Sequence, residues 1–393
     1  MKRMGPIMIL AAGLFLFSQV AQADWTRAKR ITRTSGRSLS PAIAIDSSNT
    51  IHVVWTDHTP GNGEIYYKKS TDRGATWSPA QRLTWTSGWS FDAAIAIDSS
   101  NTIHVVWEDD TLTPGRPEIY YQKSTDGGVT WSTSQNITQN SGWSYSPDIA
   151  VDSSKNIHVV WIDDHYTGNY EACYKKSTDG GATWSAGENL TYSEFNDCSE
   201  PSIFVDSFDN LHVVASQPYP WWIVGTDTEI CYMKSADAGV TWMYRIINGN
   251  NSGYSEKPKI AVDSSNNPHV VWCDNTPGNY EIYYNQSTDG GDNWATSKKL
   301  TQNSGWSYSP DISVDPSNNP HVVWSDSSPG NLEIFYRKST NRGATWTPRK
   351  RLTWTSSMSQ EPDIAVDSHG DLHLVWEDNK PGNFEIYYMK FIK

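Results

Sequence analysis

Short apolar stretches recur along the whole chain, and each is cut off after a few residues by Gly, Pro, Asn, Asp or Ser. In the first stretch of sequence the apolar runs are Pro41–Asp46, Ile51–Asp57, Glu64–Lys69 and Trp77–Thr84. Turn-rich pieces separate them: residues 46–49, 60–63 and 72–74. Runs of this length, rich in Val, Ile, Tyr and Trp and bounded by turn formers, predict β-strands. Val53 and Val54 are adjacent and both apolar, so the second strand is expected to be covered on both faces.

The pattern repeats. His-Val-Val-Trp or a near copy starts at His52, His104, His158, His212, His269, His321 and His373, at spacings of 52 to 57 residues. Glu-Ile-Tyr-Tyr or a near copy starts at Glu64, Glu118, Glu171, Glu229, Glu281, Glu333 and Glu385. A third string, Ser-Thr-Asp-x-Gly-x-Thr-Trp, has only six copies, starting at Ser70, Ser124, Ser177, Ser235, Ser287 and Ser339. The segment after it in each unit is missing at the C-terminus and present near the N-terminus. Residues 25–32 (WTRAKRIT) match residues 77–84 (WSPAQRLT) and 346–353 (WTPRKRLT). Four strands per unit at this period fit propeller blades, and the displaced N-terminal strand closes a ring that would otherwise leave an open sheet edge. The expected fold is all-β: a single seven-bladed β-propeller with three-plus-one closure. Residues 24–33 supply the closing strand of blade 7, and the blades begin near 41, 93, 147, 201, 258, 310 and 362.

Residues 1–23 change the picture of where the protein works. Lys2 and Arg3, an apolar run from Ile7 to Phe17 and Ala21-Gln22-Ala23 read as a signal peptide cleaved after Ala23, which implies a secreted or periplasmic protein. The apolar run is short for a membrane span, and no later segment of the mature chain is apolar enough to be one. Loss of Lys2 and Arg3 without loss of an acid takes the formal net charge from −13 to −15. Such a chain lacks the basic face that nucleic acid requires. Twenty Trp, 20 Tyr, 27 Gly and 20 Pro exclude a helical protein. The four cysteines, Cys173, Cys198, Cys231 and Cys273, fit one or two disulfides in an exported protein; of three possible pairings we expect Cys173–Cys198 and Cys231–Cys273.

The third string resembles the Asp-box of sialidase-like (BNR-repeat) propellers, and the resemblance covers residues 24–393. In it Asp72, Asp126, Asp179, Asp237 and Asp289, with Asn341 in the sixth copy, are expected to accept hydrogen bonds from their own turns and so to be structural rather than catalytic or calcium-binding. The seven repeated histidines read as blade-locking residues, and His58, His165 and His369 show no metal spacing. No cofactor or metal is expected.

Alternating strand directions put the loops between strands two and three, and from strand four into the next blade, on one face; the Asp-boxes fall on the other. On the first face Asp57, Asp109, Asp163, Asp274, Asp326 and Asp378 end strand two, and the repeated Glu residues open strand three. Hairpin-end hydrogen bonding competes there with a role in holding sugar hydroxyls or a cation. The loop into the next blade reads Ser-Gly-Trp-Ser-Tyr-Ser-Pro at Ser141–Pro147 and again at Ser304–Pro310. Aligned on the Pro, the Trp position holds Arg37, Trp89, Trp143, Asp197, Tyr254, Trp306 and Met358. Aromatics beside Ser and carboxylates suit carbohydrate, whose apolar face stacks while its hydroxyls bond; packing between blades is the competing explanation. Blade 4 departs from the rest: Ala215 replaces the strand-two Trp, Gln217 replaces the Asp, and the loop after it holds Trp221 and Trp222. The candidate ligand-binding residues are therefore Trp89, Trp143, Tyr254, Trp306, Arg37, Trp221 and Trp222.

The resemblance implies sialidase chemistry only if the catalytic residues carry over. Sialidases use three arginines, one within Arg-Ile-Pro, a Tyr–Glu nucleophile pair and an Asp acid/base on a six-bladed ring. No Arg-Ile-Pro occurs here, and only Arg33, Arg37 and Arg116 are expected near the ligand face. Similar seven-bladed propellers that degrade xyloglucan use a cleft between two propellers, whereas this sequence encodes one. Near-identical blades suit repeated binding sites. The expected function is a non-catalytic propeller binding glycans or an extracellular protein partner through aromatic loops. A sialidase-like exo-glycosidase and an assembly scaffold are the alternatives.

Overall fold

The computed structural model describes residues 24–165, 168–191, 198–218, 227–249 and 253–392. Seven antiparallel sheets stand around a central axis, each ordered one-two-three-four from the inside out, and no helix occurs among the described residues. In blade 1 the strands are Ser38–Ile45, Ile51–Asp57, Glu64–Ser70 and Gln81–Arg82. The fourth strand is shorter than its sequence predicts, two residues in most blades and four in blade 4, Met243–Ile246. Every residue of Ile51–Asp57 is buried, as a strand sandwiched between neighbouring blades requires. Among the described residues no helix is long and apolar enough to cross a membrane.

The ring closes through the chain's two ends. Trp25 pairs with Phe391 and Arg30 with Tyr387, so the N-terminal residues form the outer edge of the sheet that carries Leu372–Asp378 and Glu385–Ile392. Seven apolar clusters fill the seven gaps between blades. Between blades 1 and 2, Val54, Ile65, Tyr67 and Leu83 meet Ala93, Ile103, Val105 and Trp107.

The repeated histidines do lock blades. His52 Nδ1 lies 2.7 Å from the Tyr67 hydroxyl and its Nε2 lies 3.4 Å from Asp46. Tyr67 in turn sits edge-on to Trp131, the Asp-box Trp of blade 2, with ring centres 5.2 Å apart. A Cβ at Gly128 would lie 2.4 Å from that hydroxyl, and its φ of +82° is left-handed, so only glycine fits beneath the ring. Each Asp-box carboxylate folds its own turn: Asp72 accepts from the Thr76 hydroxyl, from the Thr76 N–H at 2.7 Å and from Ser70 Oγ at 2.8 Å, and those bonds hold its pKa down at about 2. Asn341 does the same with the Thr345 N–H at 2.8 Å. Asp179→Ala is accordingly expected to lower the melting temperature and leave glycan retention unchanged, because Asp179 serves its turn on the face away from the aromatic loops; selective loss of retention at an unchanged melting temperature would reverse the two faces.

A second set of ties runs around the Asp-box face. Ser47 of blade 1 donates to Asn101 of blade 2, Ser153 to Asp209, Ser207 to Asn266, Ser264 to Asn318 and Ser368 to Asn49. At the junctions of blades 2–3 and 6–7 the acceptor positions hold Lys155 and Gly370, which offer no side-chain acceptor, and this clasp is missing.

The expected disulfides do not form. All four cysteines are buried free thiols. Cys173 lies in the core between blades 2 and 3, Cys198 and Cys231 in that between blades 3 and 4, and Cys273 in that between blades 5 and 6. Both expected pairs would have to cross from one interblade core to another. Burial raises the thiols, Cys231 to about 12, so they are unreactive.

Candidate functional site

The loops from strand four into the next blade are pinned by their backbones. The N–H groups of Trp89, Trp143, Tyr254, Trp306 and Met358 donate to Asp110, Asp164, Asn275, Ser327 and Asn379 at 2.6 to 2.8 Å. Each acceptor directly follows the end of strand two in the same blade. The side chains remain in solvent: Trp89 is 44% exposed, Trp143 43%, Tyr254 40% and Trp306 62%. These rings are therefore part-covered: Trp306 meets Tyr280 of the preceding blade edge-on at 6.2 Å, and none of the four lies in an interblade core. Arg37, at the equivalent position, is also exposed. Its carbonyl accepts from the His58 N–H at 2.8 Å, and His58 meets Trp89 edge-on at 5.1 Å. Burial and then the Arg37 charge hold His58 below its ordinary pKa. Trp221, Trp222 and Asp197 lie outside the described residues.

The hairpin carboxylates belong to the fold. Asp57 accepts from Ser38 Oγ at 3.0 Å, Trp55 Nε1 at 3.2 Å and the Thr59 N–H at 2.9 Å. Glu64 is buried and accepts from Arg82 at 2.7 Å, Thr84 Oγ1 at 2.5 Å and the Thr86 N–H at 3.0 Å. In blade 4 this Ser–Trp–Asp arrangement is replaced as a unit, by Cys198, Ala215 and Gln217.

Two exposed aromatics escape the sequence reading. Trp85 and Trp354 are 76% and 74% exposed, each stacked on a guanidinium, Arg82 and Arg351, at 4.1 Å. The duplicated string Arg-Leu-Thr-Trp, at Arg82–Trp85 and Arg351–Trp354, is the signal that marks them.

A cavity of about 1240 Å³ runs along the ring axis, walled by the innermost strands. Seven residues line its mouth at one equivalent position: Ser40, Asp92, Ser146, Glu200, Lys257, Ser309 and Glu361. All have left-handed φ values of 48° to 52° and sit where the register with strand two shifts. That conformation costs a non-glycine residue about 1 kcal/mol, and here it is kept in every blade. Two positions on, Asp148, Asp311 and Asp363 accept from the Ile203, Ile364 and Ile43 N–H groups of the next blade at 2.9, 2.7 and 2.8 Å.

Acids outnumber bases along this wall. Lys257 lies 3.6 Å from Glu200, 3.5 Å from Glu361 and 4.9 Å from the Tyr308 ring centre. Burial works to lower the Lys259 pKa, and Asp148, Asp311 and Asp363 together outweigh it, so it sits above the usual value. Burial, then Asp92, raises Glu108 well above the carboxylate range; burial and then Asp363 do the same to Asp311. Glu377, which accepts from the Ser40 N–H at 2.9 Å and from Gln360 at 2.7 Å, is pushed up by burial to about 7. Arg37 is the one arginine among the described residues lining the cavity. No cluster of three or more metal-ligating side chains occurs among the described residues.

Comparison with known proteins agrees with this architecture. The BNR repeat-containing family matches residues 40–218. A xyloglucanase of Acetivibrio thermocellus is 25% identical over 224 residues, 53% of this chain; the match spans about a quarter of that enzyme's length, 25%. An ulvan lyase solved with a GlcA–Rha3S saccharide superposes with a TM-score of 0.68 at 10% identity, over 92% of this chain and 95% of the lyase. A Hadza microbial sialidase gives 0.54 at 14% identity, over 87% of this chain and 73% of the sialidase. At these identities the structural likeness is one of fold. Repeat and ring make the chain a seven-bladed β-propeller, similar over residues 40–218 to the BNR repeat-containing family and in fold to sialidases.

Proposed function

We propose that the protein is a glycan-binding propeller whose aromatic loops act as repeated, non-catalytic platforms. One observation carries the reading: Trp89, Trp143, Tyr254 and Trp306 stand exposed on one face while their backbones are held by hydrogen bonds. A loop held in this way presents its ring to a sugar without first ordering its backbone, which favours binding. Polysaccharide-active relatives, a xyloglucanase and an ulvan lyase among them, support the glycan class. Each platform is weak alone, and a surface bearing many glycans is held through avidity.

A variant carrying Trp89→Ala, Trp143→Ala and Trp306→Ala is expected to lose retention on an immobilised glycan while melting within a few degrees of the parent. A triple variant that is folded and fully retained removes these rings from the site. Collapse of its fold would instead signal buried packing, for which each Trp→Ala costs about 3–5 kcal/mol.

The second reading is glycoside cleavage at the channel mouth. Glu377, with a pKa near 7, is the kind of carboxyl that serves as a general acid, and several carboxylates lie near it. Against it stands the lining of the channel, where Arg37 has no companion arginine among the described residues to hold a sialic acid carboxylate. A fluorogenic glycosidase panel on the full chain separates the two: turnover abolished by Glu377→Gln supports cleavage.

A further inference from the structure

The aromatic face is not uniform in charge. In three consecutive junctions the strand-four arginine is mounted identically. Arg82 donates to the Thr84 carbonyl at 2.7 Å and to Glu64 at 2.7 Å; Arg351 donates to the Thr353 carbonyl at 2.7 Å and to Glu333 at 2.8 Å. Arg30 makes the same two bonds, to the Thr32 carbonyl at 2.8 Å and to Glu385 at 2.5 Å. Three residues after each arginine the junctions differ. Blades 6–7 and 1–2 place Trp354 and Trp85 there, one face stacked on the guanidinium and the rest of the ring in solvent. The junction between them, blades 7–1, places Arg33.

Arg33 and Arg37 share that junction loop, and both are exposed. Among the described residues no carboxylate lies within ion-pair distance of either. Their charge is felt by their neighbours: Lys68 is held below its ordinary pKa by burial and then by Arg33, with Glu385 acting the other way, and His58 by burial and then by Arg37, with Asp57 acting the other way. In a chain with 44 acidic and 31 basic side chains, two exposed arginines in one loop, outside any ion pair, form a local positive segment that favours an anionic ligand.

The three loops are joined into one strip. The Met358 N–H bonds Asn379; Asn383 of the same hairpin donates to the Thr34 and Gly36 carbonyls; the Gly36 N–H bonds Thr59; and the adjacent His58 touches Trp89. Aromatic platforms therefore flank a cationic segment on a continuous, hydrogen-bonded surface. The channel, by contrast, is lined mainly by acids and repels an anion.

We propose that this strip binds an anionic polysaccharide, with sugar rings stacked at Trp85 and Trp354 and a carboxylate or sulfate between them held by Arg33 and Arg37. Guanidinium forks match both oxyanions, and an exposed site of this kind weakens as salt rises. The inference rests on the glycan reading above and narrows its ligand class.

The test is affinity electrophoresis of the full mature chain in gels containing alginate as the polyuronate, carrageenan as the sulfated chain, and xyloglucan as the neutral one. Salt-sensitive retardation by alginate or carrageenan is expected, and which of the two is stronger identifies the oxyanion. Arg33→Ala should weaken retardation by the acidic chains several-fold and leave xyloglucan unaffected. Adding Arg37→Ala should deepen the loss to about tenfold or more, the scale of a lost charge-assisted bond. Trp85→Ala with Trp354→Ala should weaken binding to acidic and neutral chains alike. Melting curves of each variant exclude unfolding, since all four side chains are exposed. Retardation by xyloglucan alone, or undiminished retardation of the double arginine variant by the acidic chains, overturns this inference and leaves the glycan reading standing. No retardation by any of the three overturns both.

Discussion

A chain lacking residues 24–32 is expected to melt far below the intact protein, or not to fold cooperatively at all. The deletion strips the outer edge from Glu385–Ile392, where Trp25 pairs with Phe391 and Lys29 with Tyr388. It removes Trp25 from its edge-on contact with Tyr336 at 5.1 Å and Ile31 from the core between blades 7 and 1. It also takes Arg30 away from Glu385, leaving a fully buried carboxylate without its cation. Losing a buried large side chain costs about 3–5 kcal/mol, and breaking a buried ion pair costs a similar amount, so the sum approaches the whole stability of a typical domain. Urea denaturation of the two forms checks this; coincident midpoints would rule out closure by the N-terminal strand.

The second large effect depends on pH and has opposite signs at two residues. His104 is buried, and its pKa is lowered by that burial to about 4, against 6.5 in an unfolded chain. Above pH 6.5 both states hold it neutral and its bond to Tyr121, 2.8 Å, contributes in full. Between pH 6.5 and 4 the unfolded state takes up a proton that the folded state refuses, and the contribution is lost. The destabilisation caused by His104→Asn should therefore shrink by about 3 kcal/mol between pH 7 and pH 4. Glu377 runs the other way. Its folded pKa of about 7 lies above the unfolded 4.5, so its ionisation penalises the fold only as pH rises through that interval. Relative to the parent, Glu377→Gln should gain about 3 kcal/mol between pH 4.5 and pH 8. Denaturant midpoints across this range test both, and parallel pH profiles for parent and variants would refute them.

Much of the ring is legible in the sequence because its ties are local and repeated. The His52–Tyr67 bond, the Asp72 turn and the match of residues 25–32 to 77–84 each recur at a fixed spacing, so the count and the closure follow from arithmetic. The exposure of Trp89, Trp143 and Trp306 is not decidable in the same way. Whether a loop Trp points out or in depends on backbone bonds to Asp110, Asp164 and Ser327, which lie about 20 residues downstream. The charged channel mouth is hidden for another reason. Ser40, Asp92, Lys257 and Glu361 differ in charge at one equivalent position, and a bulge in each inner strand turns them to the axis, which period-two patterning does not reveal. The cysteine pairing fails because closeness in the blade count says nothing about which interblade core a side chain enters.

The two junctions without a serine clasp divide the ring unequally. Between them lies an arc of four blades, 3 to 6, that is one uninterrupted stretch of chain from Ser144 to Arg351. The remaining arc of three blades is assembled from both ends of the sequence. All five clasps fall inside one arc or the other, and none crosses from arc to arc. In genetic terms these two junctions are the places where a cut between blades leaves all five clasps intact.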